Sequence, residues 1–257
     1  MSTYANLVFD LDGVVYLDGI EVFGAGATLA AASEAGCNVL FATNNASRPR
    51  ADFVARIADI TGYHATVDQV VSSAMAAASV LRTDECVLAV AGPGVSEAII
   101  DGGARLATDW HEAETVVVGL DLEMTYQRLR DAALAIRNGA RFIATNDDST
   151  FPAPDGLWPG AGSSISFLTA ATDRLPDVVA GKPNRPIRTL IAGLLDDGPT
   201  LVIGDRPETD LATGQAEGWD TVLVLTGVTS DPKDVPDEYT PTYVIPSISN
   251  LGDLIGL

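Results

Sequence analysis

Short apolar runs alternating with longer helical patterns place this 257-residue chain in the α/β class, as a doubly wound, mostly parallel sheet. Most of the runs are rich in Val, Ile and Leu and flanked by turn residues, as strands covered on both faces require. The middle third has its own series of strands and helices, while the candidate chemistry lies on either side of it. That arrangement predicts an inserted second α/β domain.

In chain order, the expected strands are LVF at 7–9, NVLFAT at 38–43, CVLAV at 86–90, TVVVGL at 115–120, RFIAT at 141–145, TLVIG at 200–204 and TVLVL at 221–225. The clearest helix is expected over 126–138, with Thr125 as N-cap and Gly139 as its stop. A second follows Ser47-Arg48-Pro49 and runs to about Ile60. A third, rich in alanine, lies around 74–81, and another begins near Glu208. Gly24-Ala25-Gly26 lacks the third glycine and the preceding strand of a dinucleotide fingerprint, so it reads as a loop before a helix. The outer domain is expected to span 1–77 and 179–257, with the insertion at 78–178.

A hydrophobic content of 47% allows a substantial core. Thirty-five acidic residues against 15 basic ones give a net charge of −20, which repels a phosphate backbone and excludes nucleic acid as an expected partner. Only 2 of the basic residues are lysines. An acid-heavy, lysine-poor surface fits a salty cytoplasm that screens self-repulsion, and equally fits the codon bias of a GC-rich genome. There is no basic leader before an apolar stretch, and no uninterrupted apolar run approaches the roughly 18 residues a bilayer needs, so the expectation is a cytoplasmic protein with no membrane partner. Cys37 and Cys86 lack zinc or redox spacing and read as two buried free thiols.

Four segments carry chemistry. Leu7-Val8-Phe9 runs into Asp10-Leu11-Asp12-Gly13, so two carboxylates leave the carboxyl end of a strand, where open α/β sheets bind ligands. Residues two apart on an extended chain share a side, so Asp10 and Asp12 can face one pocket. One could attack phosphorus while the other moves a proton, and the same residues would also suit a turn in which Asp caps amides before Gly. Thr43-Asn44-Asn45 ends another strand with a hydroxyl and backbone amides suited to phosphate oxygens, although such residues are also ordinary in turns. Gly181-Lys182-Pro183 fixes one of the two lysines in a tight loop, where a compact ammonium could neutralise a transferring phosphoryl group; a solvated surface lysine is the plain alternative. In Gly204-Asp205-Arg206-Pro207-Glu208-Thr209-Asp210, Asp205 at a strand end is a natural partner of Asp10 in holding a hard cation such as magnesium. Asp210 could hold the metal's waters, orient Lys182 or cap a helix start.

Asp-x-Asp-Gly, Thr-Asn-Asn, a late Gly-Lys-Pro and Gly-Asp-x-x-x-Thr-Asp, in that order, resemble the four signature motifs of the haloacid dehalogenase superfamily. The chain is more narrowly similar to its NagD-like, p-nitrophenyl phosphatase branch with a C2-type cap. Residues 9–15, 42–48, 144–146, 160–162, 180–183 and the stretch from Gly204 to Val228 carry that likeness. The resemblance implies a Mg2+-dependent phosphatase acting on a small phosphorylated metabolite, such as a glycerol phosphate, sugar phosphate or nucleoside monophosphate. Asp10 would be the nucleophile, Asp12 the general acid and base, Thr43, Asn44 and Asn45 the phosphate binders, and Lys182 the charge stabiliser. Asp10, the Asp12 carbonyl, Asp205 and Asp210 would serve the metal. Aspartate at position 12 points to phosphoryl transfer, because dehalogenating relatives lack this acid. The loop Asn146-Asp147-Asp148-Ser149-Thr150-Phe151-Pro152 departs from relatives that carry Pro after the Asn; Asn146, Asp148 and their neighbours up to Trp158 are the specificity candidates. A homodimer through the cap is a further expectation. The alternatives are a phosphomutase or phosphotransferase, and a phospho-accepting signalling module, against which the length and the insertion argue.

Overall fold

A computed structural model describes residues 3–153 and 155–256. They fall into two compact units, one formed by Met1–Thr43, Ala51–Val71 and Arg188–Leu257, the other by Asn44–Arg50 and Ser72–Ile187.

The first unit carries a six-stranded sheet in the order Tyr243–Ile245, Asp220–Val224, Thr200–Gly204, Asn6–Phe9, Asn38–Thr43, Val70–Ser72. Neighbouring strands from Tyr243–Ile245 to Asn38–Thr43 run parallel. Read from the Val70–Ser72 edge, this is the doubly wound order 3-2-1-4-5-6, whose direction of winding reverses between Asn6–Phe9 and Thr200–Gly204. Leu7, Phe9, Val39, Phe41, Leu201, Ile203, Val222 and Val224 occupy alternate positions and join one buried cluster, in which the Phe9 and Phe41 rings lie 6.3 Å apart. Val8, Leu40 and Val202 are buried as well, which explains why these strands read as continuous apolar runs rather than as alternation.

After Asp10 the chain turns tightly and enters an antiparallel hairpin, Tyr16–Leu17 with Ile20–Glu21, that the sequence reading does not anticipate. Its turn residues Asp18 and Gly19 have φ of 51° and 79°, the pair of positive values that an Asp-Gly turn supplies with least strain. The Glu21 carboxylate then accepts the Gly26 N–H at 2.8 Å, near the start of helix Ala25–Glu34. Of the expected Gly24-Ala25-Gly26 loop only Gly24 precedes the helix. Gly26 is helical, and a Cβ there would lie 2.2 Å from the Thr61 carbonyl oxygen. Near Glu208 the helix expected to begin there starts instead as a wide π-type turn, Pro207–Leu211, and continues as Ala212–Glu217.

The second unit holds a five-stranded sheet in the order Val178–Val179, Arg141–Ala144, Thr115–Val118, Cys86–Val90, Arg105–Leu106, with every pairing parallel. From the Arg105–Leu106 edge the order is 2-1-3-4-5, the other common doubly wound pattern, with its reversal between Cys86–Val90 and Thr115–Val118. The crevice expected past that reversal is lined by backbone from 44–50. A Cβ on Gly92 would lie 2.5 Å from the Ser47 carbonyl oxygen, one on Gly94 2.1 Å from that of Arg48, and Glu97 accepts the Arg50 N–H at 3.1 Å. Helix Tyr126–Arg137 is capped by the Thr125 hydroxyl, which accepts the Arg128 N–H at 3.3 Å, and stops one residue before the expected Asn138. The alanine-rich helix is Ser73–Ala78, shorter than expected.

Beneath the amino-terminal ends of these strands Glu85 is buried. Burial alone would push its carboxyl up, but hydrogen bonds from the Thr115 hydroxyl and from Arg82, together with the Arg141 guanidinium at 3.2 Å, outweigh this and hold it at about 2. Cys86 is buried as expected, whereas Cys37 is half-exposed, because it lies just before its strand and not inside it. Among the described residues no helix is long and apolar enough to cross a membrane.

Candidate active site

In the first unit the carboxylates gather where the winding of the sheet reverses. Asp10 follows Phe9, and its N–H donates to the Ile203 carbonyl at 2.8 Å; Asp205 follows Gly204 on the neighbouring strand. Asp10, Asp205 and Asp210 each offer one carboxylate oxygen, and these oxygens all lie within 4.8 Å of one another. Asp205 and Asp210 are buried, Asp10 is half-buried and Asp12 is exposed. Three carboxylates this close repel one another unless a cation or protons intervene, and hard oxygen donors suit magnesium. The chemistry of the donor set therefore fits that ion.

Glycines make this crowding sterically feasible. A Cβ on Gly13, whose φ is 84°, would lie 2.6 Å from Asp205 Oδ2, and one on Gly227 only 2.0 Å from the same atom. A Cβ on Gly204 would lie 2.1 Å from that of Asp210. The Val228 N–H donates to Asp205 Oδ2 at 2.6 Å, and the Thr226 hydroxyl donates to the Gly13 carbonyl at 2.6 Å. Asp210 accepts the Arg206 N–H at 3.1 Å, so it braces its own turn as well as facing the cluster. The loop 226–228 thus clamps both Asp205 and the turn after Asp10. The sequence motifs assign this loop no role, although its Thr-Gly pair follows another strand of the same sheet.

The turn itself is closed by Tyr16. Val15 and Tyr16 donate to the Leu11 carbonyl at 2.9 and 3.2 Å, and Gly13 donates to the Tyr16 carbonyl at 2.8 Å. The Tyr16 side chain is buried, and its hydroxyl is pushed above the ordinary tyrosine range, first by burial and then by the charge of Asp12. Thr43, at the end of its strand in the same sheet, is buried.

In the second unit Asn44 is a hub. Its carboxamide oxygen accepts the Lys182 N–H at 2.7 Å, and its nitrogen donates to the Lys182 carbonyl at 3.3 Å and to Asp148 Oδ2 at 3.4 Å. Its backbone carbonyl accepts the Ser73 hydroxyl at 2.6 Å and the Asn146 side-chain nitrogen at 2.7 Å. Asn146 in turn accepts the Asp148 N–H at 3.1 Å. A Cβ on Gly181 would lie 2.5 Å from Asn44 Oδ1, so a glycine before Lys182 is required for this junction. Lys182 is buried. The Asn45 side-chain oxygen accepts both the N–H and the hydroxyl of Ser47, at 3.0 and 2.7 Å. Within this unit, then, the structure brings together Asn44, Lys182, Asn146 and Asp148.

A family described as haloacid dehalogenase-like hydrolase matches residues 7–105, and one described as HAD-hydrolase-like matches residues 179–251. The 5'-nucleotidase YutF of Bacillus subtilis is 36% identical over 254 residues, covering 97% of this chain and 98% of its own. The chain is a haloacid dehalogenase-like hydrolase. Within that superfamily it is a NagD-like phosphatase. The p-nitrophenyl phosphatase of Archaeoglobus fulgidus superposes with a TM-score of 0.91 at 30% identity, over 98% of this chain and 99% of that one. A glycerol phosphate phosphatase from Mycobacterium tuberculosis, in complex with calcium, superposes at 0.90 with 34% identity, over 99% of this chain and 78% of that one. The same enzyme is also known in complex with magnesium. Asp10, Asp205 and Asp210 are a group of carboxylates in this NagD-like phosphatase that could hold a metal ion.

Proposed function

We propose that the chain hydrolyses small phosphomonoesters with magnesium, through an aspartyl-phosphate on Asp10. The observation that carries this reading is the convergence of Asp10, Asp205 and Asp210 within 4.8 Å at the reversal point of the sheet. Asp10, Asp205, Asp210 and the Asp12 carbonyl hold the ion, and when bound it supplies the positive charge that lets a carboxylate approach a phosphate dianion. An Asp10 carboxylate oxygen attacks phosphorus, the bond from phosphorus to the ester oxygen breaks, and the Asp12 carboxyl gives its proton to the leaving oxygen. Asp12 then takes a proton from water as that water attacks the phosphorus of the acyl phosphate. The bond to Asp10 breaks, and phosphate leaves.

Thr43, the Asn44 amide and Asn45 bind phosphate oxygens in this reading, and Lys182 neutralises the transferring group. We assign the cap domain to residues 78–178, which lie inside the second compact unit, between core segments 1–77 and 179–257; in this reading Asn146 and Asp148 contact the part of the substrate beyond the phosphate. An acidic loop there favours hydroxyl-rich, uncharged leaving groups. The names of the relatives, which include acid sugar phosphatases of staphylococci, support glycerol phosphate, sugar phosphates and nucleoside monophosphates as the classes to test. We also propose a cytoplasmic location and a homodimer formed through the cap. The experiment is a panel of such esters, with p-nitrophenyl phosphate as a reference, assayed for phosphate release with magnesium and with excess EDTA. Release that requires the ion supports the proposal, and full activity in EDTA refutes it.

A further inference from the structure

Asp12 is exposed and sits in a one-turn loop, so whatever fixes the loop helps to set where its carboxyl stands. The closing residue of the loop, Tyr16, pairs with Asp12 through a backbone bridge and accepts the Gly13 N–H, while its ring is buried in the core. Over the face of that ring, 4.9 Å from its centroid, lies the guanidinium carbon of Arg56, from helix Arg50–Thr61. The same guanidinium is the nearest atom group to Gly19 in the turn of the Tyr16–Glu21 hairpin, 3.5 Å from where a Cβ would stand. Arg56 therefore lies against Tyr16, the residue that closes the loop after Asp12, and near the turn of the hairpin that Tyr16 begins.

We propose that Arg56 is a positioning residue for the proton transfer of Asp12, acting through the Tyr16 ring. The inference rests on the acid and base role assigned to Asp12 above. Loss of the guanidinium leaves the nucleophile and the metal carboxylates in place but lets the Asp12 loop wander, so the reaction is impaired in proportion to its need for a proton on the leaving oxygen. An aryl phosphate expels a stable anion and needs little help; an alkyl phosphate expels a strongly basic alkoxide.

The test compares Arg56→Met, which keeps length and packing, and Arg56→Lys, which keeps a cation over the ring, with wild type and Asp12→Asn. Glycerol phosphate and p-nitrophenyl phosphate are the substrates, and aspartyl phosphorylation by the aryl ester is followed by rapid mixing. With full acid catalysis worth about 10²–10⁴-fold, its partial loss in Arg56→Met should lower kcat for glycerol phosphate about tenfold. The aryl burst rate and both KM values should change by less than about threefold, and Arg56→Lys should recover most of the loss. Equal losses on both substrates, or no loss, or a Lys variant no better than Met, overturns the role of Arg56, provided Asp12→Asn shows the split between substrates. If Asp12→Asn shows no split, the assignment of Asp12 fails, and the inference about Arg56 fails with it.

Discussion

Replacing Gly227 by alanine is a direct test of whether the loop 226–228 sets the metal site. A Cβ at this position would stand 2.0 Å from Asp205 Oδ2 and 2.6 Å from its Cγ, whereas ordinary contact begins near 3.4 Å. The carboxylate or the loop must then retreat by about 1.4 Å, the difference between those two distances. Either movement breaks the 2.6 Å hydrogen bond from the Val228 N–H. Loss of a hydrogen bond to a charged group costs about 1.5–3 kcal/mol, equivalent to a fall in Tm of roughly 3–12 °C for a chain of this size. Magnesium tolerates deviations of only about 0.2 Å from its preferred distance to oxygen, so the shift should cost more in metal affinity than in folding. The magnesium concentration for half-maximal phosphatase activity should rise about 10–100-fold. Gly193→Ala, where a Cβ meets nothing closer than 3.5 Å, is the control and should leave both measurements unchanged. If Gly227→Ala keeps the wild-type magnesium dependence and Tm, the clamp on Asp205 is refuted.

Three further perturbations probe other parts of the molecule. Asp10→Asn preserves size while removing the attacking oxygen, so turnover of p-nitrophenyl phosphate should fall by several orders of magnitude with no loss of Tm; near wild-type turnover would remove Asp10 from the mechanism. Glu85 is held at about 2 against an ordinary 4.5, so its contribution to stability is complete above pH 4.5 and disappears as pH falls toward 2. Over that window the group accounts for about 3 kcal/mol at most, and Glu85→Gln should flatten the dependence of unfolding free energy on pH there; an unchanged slope would contradict the assignment. Screening of the net −20 charge should raise Tm as potassium chloride increases to molar concentration, and a flat curve would favour codon bias as the origin of the acidic composition.

The strands that deliver the chemistry were legible because each is a continuous apolar run broken by a polar residue at its carboxyl end: Phe9 to Asp10, Ala42 to Thr43, Gly204 to Asp205. Period and turn chemistry agree at those points, and burial on both faces reinforces the pattern. The Tyr16–Glu21 hairpin escaped because two-residue strands are too short to show alternation, although Asp18-Gly19 is itself a hairpin signal. Near Glu208 the expected helix starts as a wide turn in which Asp210 accepts the Arg206 N–H, a detail that propensity does not encode. Asn44 reads from the sequence only as a phosphate binder, because its ties to Lys182, Asn146 and Asp148 join residues more than 100 positions apart. Such pairings leave no local trace in a single sequence.

The seven-residue segment Asn44–Arg50 lies outside the long insertion in sequence but packs with it, its carbonyls pressed against Gly92 and Gly94. Any attempt to exchange the insertion for that of a relative must respect this. A graft that replaces only 72–187 would put a foreign loop against Ser47 and Arg48, and any side chain larger than hydrogen at the positions of Gly92 and Gly94 would collide with their carbonyls. The transferable cassette is therefore discontinuous, and a chimera should fold only when 44–50 travels with its own 72–187. The two stretches are thereby coupled in their tolerance of substitution, so that a change in one restricts what the other can accept.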